Sequence, residues 1–172
     1  MNEGARHLTI RDASAPDEPS IAQVIEAAFA ELPHSLHNEA RIVDALRGAD
    51  ALTLSLVGLM DASVVGHVAF SPVLVDGFDT GWFGLGPVSV LPAHQRCGVG
   101  PALIRAGLTR LAKMTARGCV VLGDPEYYCR FGFMPDPDLV YTHAPAKYFQ
   151  RLVLRGPVAS GVVSYHPAFA VP

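Results

Sequence analysis

The chain has 172 residues, 50% hydrophobic and 17% charged, a composition that fits a folded globular protein and excludes a disordered one. Lys and Arg number 13 against 16 Asp and Glu, and the net charge of −3 leaves no basic footprint for nucleic acid. Cys97, Cys119 and Cys129 form no CxxC pair, which speaks against a disulfide framework or a zinc ribbon and suits reduced thiols.

The opening MNEGARHLTIRDAS carries no apolar signal core, and no apolar run approaches the length of a membrane span. A cytoplasmic protein is expected, with one domain over residues 1–172. Its core motifs fall in 7–135 and its closing strands in 147–167.

Residues 7–11 (HLTIR) alternate apolar and polar side chains and suit a first strand. Residues 13–19 read as a loop. Pro19 and Ser20 then open a helix over 20–30, with Ile21, Val24, Ile25, Ala28 and Phe29 on one face. A second helix over 36–47 aligns Ile42, Val43 and Leu46, with Gly48 as its stop. Residues 52–60 and 64–75 form a hairpin about a short DAS turn. Residues 77–81 (GFDTG) read as a further turn, and a third strand runs from Trp82 to Val90.

A long helix is expected over 99–117, with Ile104, Leu108 and Leu111 on its buried stripe and Gly118 as terminator. The apolar run 119–123 (CVVLG) suits a buried strand. Asp124 can cap a short helix over 125–131, which Gly132 ends. Residues 136–145 form a proline-broken loop, and 148–154 and 161–165 read as the last two strands.

Residues 86–103, GPVSVLPAHQRCGVGPAL, carry the most chemistry. They read as a strand entering a glycine turn that opens a helix. Such a turn aims several backbone N–H groups one way, and the helix dipole adds to their hold on an anion. A P-loop needs Lys and then Ser or Thr after its last glycine, whereas Pro101 and Ala102 follow Gly100. The dinucleotide fingerprint needs a third glycine where Leu103 stands, and the strand order is wrong for that fold.

What remains, Gln95-Arg96-Cys97-Gly98-Val99-Gly100, resembles the Q/R-x-x-G-x-G/A motif of the GCN5-related N-acetyltransferases. GPVSVLP at 86–92 and YCRFGF at 128–133 match that family in order and spacing, and GDPEYYCRFGF at 123–133 is similar to its bacterial YhbS-like subgroup. The resemblance implies an α/β (α+β) fold: a mixed, mainly antiparallel twisted sheet with helices on both faces. It also implies acetyl-CoA as co-substrate, no metal, and acetyl transfer to a primary amine by direct attack in a ternary complex.

The residues fit that cofactor on physical grounds. Backbone amides from Arg96 to Gly100 can converge on a pyrophosphate, and Gly98 and Gly100 let the backbone approach closely. Arg96 either adds a charge-assisted contact or is solvated. Cys97 need only be small, since no base is paired with it. Pro101 has no N–H, which withdraws one possible contact.

By resemblance, a β-bulge frees backbone groups at Val88, Ser89 and Val90 for the pantetheine arm. The resemblance makes Tyr128, four residues before Gly132, the general acid toward the coenzyme A sulfur, with Tyr127 as the alternative. Asp124 either touches the cofactor arm or only caps its helix.

No base is identified. Glu39, His67, His94 and His143 are candidates by type alone, and His34 and His37 form an HxxH pair without a third ligand. By resemblance, residues 30–38 and 70–73 line the acceptor side. The acceptor is expected to be a small-molecule or peptide amine, with no nucleic acid or membrane partner. The protein is expected to be a monomer or a homodimer, with 162–172 as the dimer face. A module that senses acyl-CoA without turnover, and a transferase for longer acyl groups, are the competing readings.

Overall fold

The computed structural model describes residues 7–172. Strand β1 (Leu8–Asp12) leads through a 3-10 turn (Ala15–Asp17) into helix α1 (Glu18–Phe29). The Asp17 carboxylate accepts from the Ser14 N–H and hydroxyl and pairs with Arg11 at 2.7 Å, fixing where α1 starts. The 13–19 segment is therefore more structured than a loop. Helix α2 (Glu39–Gly48) begins three residues later than the sequence pattern suggests, yet buries the expected Ile42, Val43 and Leu46.

Strands β2 (Leu54–Met60), β3 (Ser63–Val75) and β4 (Phe78–Val90) form an antiparallel meander with β1 on its outer side. The turn between β3 and β4 is Asp76-Gly77, both at positive φ (51° and 82°), so Phe78 to Gly81 belong to β4 and not to a turn. Asp-Gly suits a two-residue hairpin turn whose central residues both need left-handed backbone.

Helix α3 (Val99–Lys113) packs against the face of the sheet opposite α1 and α2. It ends before the predicted Arg117, because Thr115 already takes positive φ (63°). Gly118 does not terminate the helix; it opens strand β5 (Gly118–Leu122), where a Cβ would stand 2.4 Å from the Trp82 ring. Helix α4 (Pro125–Tyr128) and a 3-10 turn (Cys129–Phe131) follow, and Gly132 at φ 92° closes them. The proline-broken segment holds a short strand β6 (Leu139–Val140), before β7 (Phe149–Val153) and β8 (Gly161–Ser164).

The eight-stranded sheet runs β1-β2-β3-β4-β5-β7, with β8 joining β3 and β6. Among the described residues, only β4–β5 and β6–β8 are parallel. The mixed, mainly antiparallel sheet with helices on both faces is thus as expected. The end of the C-terminal segment folds back on α2: Ala168 is buried with Ile42 and Leu46, and the Asn38 side chain donates to the Val171 carbonyl at 2.7 Å.

Two close packings seat α3. A Cβ on Gly66 would lie 2.8 Å from Val99 and 2.9 Å from Leu103, so the first turn of α3 presses directly on β3. Further along, a Cβ on Gly107 would lie 2.1 Å from the Phe70 ring. Gly107→Ala removes a helix-weakening glycine but overfills this contact, and overpacking outweighs propensity. The variant is expected to lose about 1–3 kcal/mol, read as a lower urea midpoint at unchanged slope.

Candidate active site

The site begins where β4 changes neighbours. From Trp82 to Leu85 it pairs with β3 on one side and β5 on the other; from Val88 to Val90 it pairs with β3 alone. Phe70 faces Leu85 while Val68 faces Val88, so two steps along β3 match three along β4. The extra residue lies at Gly86–Pro87, where Gly86 takes φ 142°, a backbone that only glycine adopts freely. Among the described residues, the edge of β4 facing away from β3 has no strand partner from Val88 to Val90, and a cleft opens between it and the end of β5.

Two cavities share Phe29, Leu32 and Val88 and form halves of one cleft. The first half, about 690 Å³, is lined by Val88, Ser89, Val90, Gln95, Arg96, Gly98, Gly100 and Tyr127 among others. The turn that floors it has Arg96 at φ 60° and Gly98 at φ 83°. Among the described residues, nothing accepts from the N–H groups of Arg96, Cys97 or Gly98, and those of Val99 and Gly100 belong to the first turn of α3, which has no intrahelical acceptors. Free N–H groups, a helix N-terminus and two guanidinium groups, Arg96 and Arg130, converge on this half. That is the chemistry of a diphosphate site.

Gln95 does not reach outward: its amide donates to the Val90 carbonyl at 3.1 Å and braces the turn against the strand. The exposed Cys97 thiol rests on the Gln95 carbonyl at 3.4 Å and lines neither cavity. The Ser89 hydroxyl is buried without a partner among the described residues, leaving only that residue's backbone for the cleft.

The second half, about 830 Å³, is bounded by Leu85 to Val88, by Leu122 to Asp124, and by Tyr128, Tyr141, Tyr165 and Phe169. The two candidate tyrosines separate here. The Tyr127 hydroxyl stands over the glycine turn, 3.3 Å from where a Gly100 Cβ would be, with Arg130 stacked 4.3 Å from its ring centre. Tyr128 turns into the second half, its ring against Gly123, where a Cβ would come within 2.5 Å. Burial, then the neighbouring Tyr127 and Cys119, raises the Tyr128 hydroxyl above the usual phenol value, so it holds its proton at neutral pH.

Asp124 caps α4, its Oδ1 accepting from the Glu126 N–H at 2.9 Å, while the residue lines the cleft. Two residues escaped the sequence reading. Gly123 makes room for Tyr128. Gln150, buried on β7, donates to the Gly123 carbonyl at 3.1 Å and holds that corner. Glycine before a capping Asp is a recognisable signal; nothing local marks Gln150.

Of the base candidates, only Glu39 lines the cleft, on its second half, where it accepts from the Ser35 hydroxyl. His143 is exposed against Tyr141, and His94 lines neither half. Residues 70–73 are not in the wall: Phe70 and Val73 are core, and Ser71 is fully buried. Of residues 30–38, Leu32, Pro33, His34 and Ser35 do line it. Among the described residues, no three His, Cys, Asp or Glu side chains gather as a metal site, and no helix is long and apolar enough to cross a membrane.

His67 is fully buried, with Nε2 2.9 Å from the Ser55 hydroxyl and Nδ1 unpartnered among the described residues. It is not the base. Burial, aided by the Arg47 charge, pulls its pKa down to about 4. The native state therefore keeps it neutral, while the unfolded chain takes up a proton below about pH 6.5, so stability falls as pH drops from there toward 4. Urea unfolding is expected to lose about 2 kcal/mol from this group between pH 7 and pH 5, and His67→Gln to flatten that difference.

Residues 18–133 match the profile of the Acetyltransferase (GNAT) family. The uncharacterized N-acetyltransferase YhbS of Escherichia coli K12 is 38% identical over 118 residues, 68% of this chain and 68% of that protein. Among solved structures, a GNAT family acetyltransferase from Brucella melitensis in complex with acetyl-CoA is 50% identical. The match has a TM-score of 0.86 over 96% of this chain and 99% of that one. The structure of Escherichia coli YhbS in complex with CoA is 33% identical with a TM-score of 0.87, over 99% of this chain and 96% of that one.

Proposed function

The chain belongs to the GNAT family of acetyltransferases, and on that premise we propose that it transfers the acetyl group of acetyl-CoA to a primary amine by direct attack, with both substrates bound at once. The observation that carries this reading is the break between β4 and β5 after Leu85, with a free-amide glycine turn at one end of the gap and Tyr128 at the other. Acetyl-CoA is the co-substrate that the two solved relatives' complexes suggest.

The residues present fit that molecule. The N–H groups from Arg96 to Gly100 hold the pyrophosphate, with Arg96 and Arg130 adding charge. The unpaired edge of Val88, Ser89 and Val90 receives the pantetheine amides as a neighbouring strand would. Tyr127 forms the wall over the turn. Bound acetyl-CoA supplies an activated thioester, which becomes an amide and a free thiol.

Tyr128 delivers the proton that the departing sulfur needs, its raised pKa keeping that proton in place until then, and the proton shed by the attacking nitrogen restores the phenol. Asp124 holds the short helix that carries Tyr128. Among the described residues no cysteine lines either half of the cleft, which favours direct attack over a thiol-bound intermediate.

In a thiol-release assay over a panel of amines, Tyr128→Phe is expected to lower kcat about 100-fold with acetyl-CoA affinity unchanged. Unchanged turnover removes the assignment. Gly98→Ala forces a Cβ into left-handed backbone, at a cost of about 1–2 kcal/mol, and so disturbs the turn that presents the N–H groups. It is expected to abolish the thermal stabilisation that acetyl-CoA gives the parent protein; an equal shift in both proteins would remove the turn's role.

A further inference from the structure

The two halves of the cleft differ in charge. The half with the glycine turn holds Arg96 and Arg130. Among the described residues, the lining of the other half contains no Lys or Arg; its charged groups are the carboxylates of Glu39 and Asp124, with the imidazole of His34 beside them. Apart from Ser35, its walls are otherwise apolar or aromatic. Tyr165 packs edge-on to Tyr141 at 5.1 Å and tilted against Phe169 at 5.0 Å, so three rings form one continuous surface. Phe29 and Tyr128 also line this half.

From this juxtaposition we propose that the acceptor is a small primary amine carried on an aromatic or similarly bulky apolar body, with no carboxylate or phosphate of its own. The inference rests on the acetyl-transfer reading and names the substrate class of the same cleft.

Each part of that description follows from a wall. A cavity of about 830 Å³ lined by rings rewards an apolar body of aromatic size. Ring faces also attract the ammonium form in which such an amine arrives. Glu39 is the first residue of α2, and its carboxylate, held by the Ser35 hydroxyl, can receive that ammonium. Asp124 is partly engaged by its helix cap and adds a second negative charge near Tyr128. An acceptor bearing its own carboxylate meets two like charges in an apolar cleft with no Lys or Arg among its described lining residues to pair it. A slender polyamine satisfies the carboxylates but leaves the rings unfilled.

The test is calorimetric titration of the CoA-loaded protein with three amines: phenethylamine, phenylalanine, which adds a carboxylate to the same frame, and putrescine, which lacks the ring. Phenethylamine is expected to bind at least tenfold more tightly than either of the others. Glu39→Gln is expected to weaken phenethylamine binding about tenfold at an unchanged unfolding midpoint. Phenylalanine or putrescine binding as tightly as phenethylamine overturns the proposal, and so does the absence of phenethylamine binding.

Thiol release from acetyl-CoA, followed with the same amines, separates the two readings. Selective phenethylamine binding without acetylation overturns the transferase assignment and upholds the ligand class. Acetylation of phenylalanine with phenethylamine inert does the reverse.

Discussion

Strand β4 has two neighbours from Trp82 to Leu85 and one from Val88 to Val90, and the cleft exists because of that change. A strand in the middle of a sheet ordinarily has every N–H and C=O paired, since unpaired buried backbone is costly. Beyond Leu85 the ladder to β5 stops, yet β3 continues to hold β4 through to Val90. One inserted residue near Gly86 is enough. It lets β4 bend away from β5 without losing its register on β3, and a row of backbone groups faces an opening instead of a strand.

The opening is useful only because its two ends are held firmly. At one end, the absence of a side chain on Gly66 lets Val99 and Leu103 sit against β3, so the start of α3, directly after the glycine turn, is clamped to the sheet. Gln95 ties the same turn to the Val90 carbonyl. At the other end, Gly123 admits the Tyr128 ring, Asp124 caps the helix that carries it, and Gln150 holds the corner from β7. Charge is segregated along the cleft, with guanidinium groups near the turn and carboxylates beyond Tyr128. The buried phenol lies in the second half, in an environment that keeps it protonated.

Much of this was legible in order along the chain. The 3.6-residue spacing of Ile21, Val24 and Ile25, and of Ile104, Leu108 and Leu111, marked helices that bury those faces. Where the reading slipped, a backbone angle decided. Asp76 and Thr115 take left-handed conformations that are not reserved for glycine, so one turn was misplaced and one helix drawn too long. The tyrosine pair shows the limit of a local pattern. Adjacent in sequence, Tyr127 and Tyr128 face different halves of the cleft, because neighbouring residues on a helix point about 100° apart.

The sequence by itself determined the features that depend on neighbouring residues: the amphipathic helices, the glycine turn at Gly98 and Gly100, the Asp124 cap and the family those motifs belong to. Only the tertiary structure decided what faces the cleft. His67 looked as eligible as Glu39 until the sheet buried one and left the other on the wall. Tyr141, Tyr165 and Phe169 carry no local sign of a site; they reach it because the C-terminal segment packs over α2 and β8 pairs with β3. Backbone conformation follows from spacing over a few residues. The lining of a cavity follows from which distant segments exclude water together, and that is a property of the packed chain.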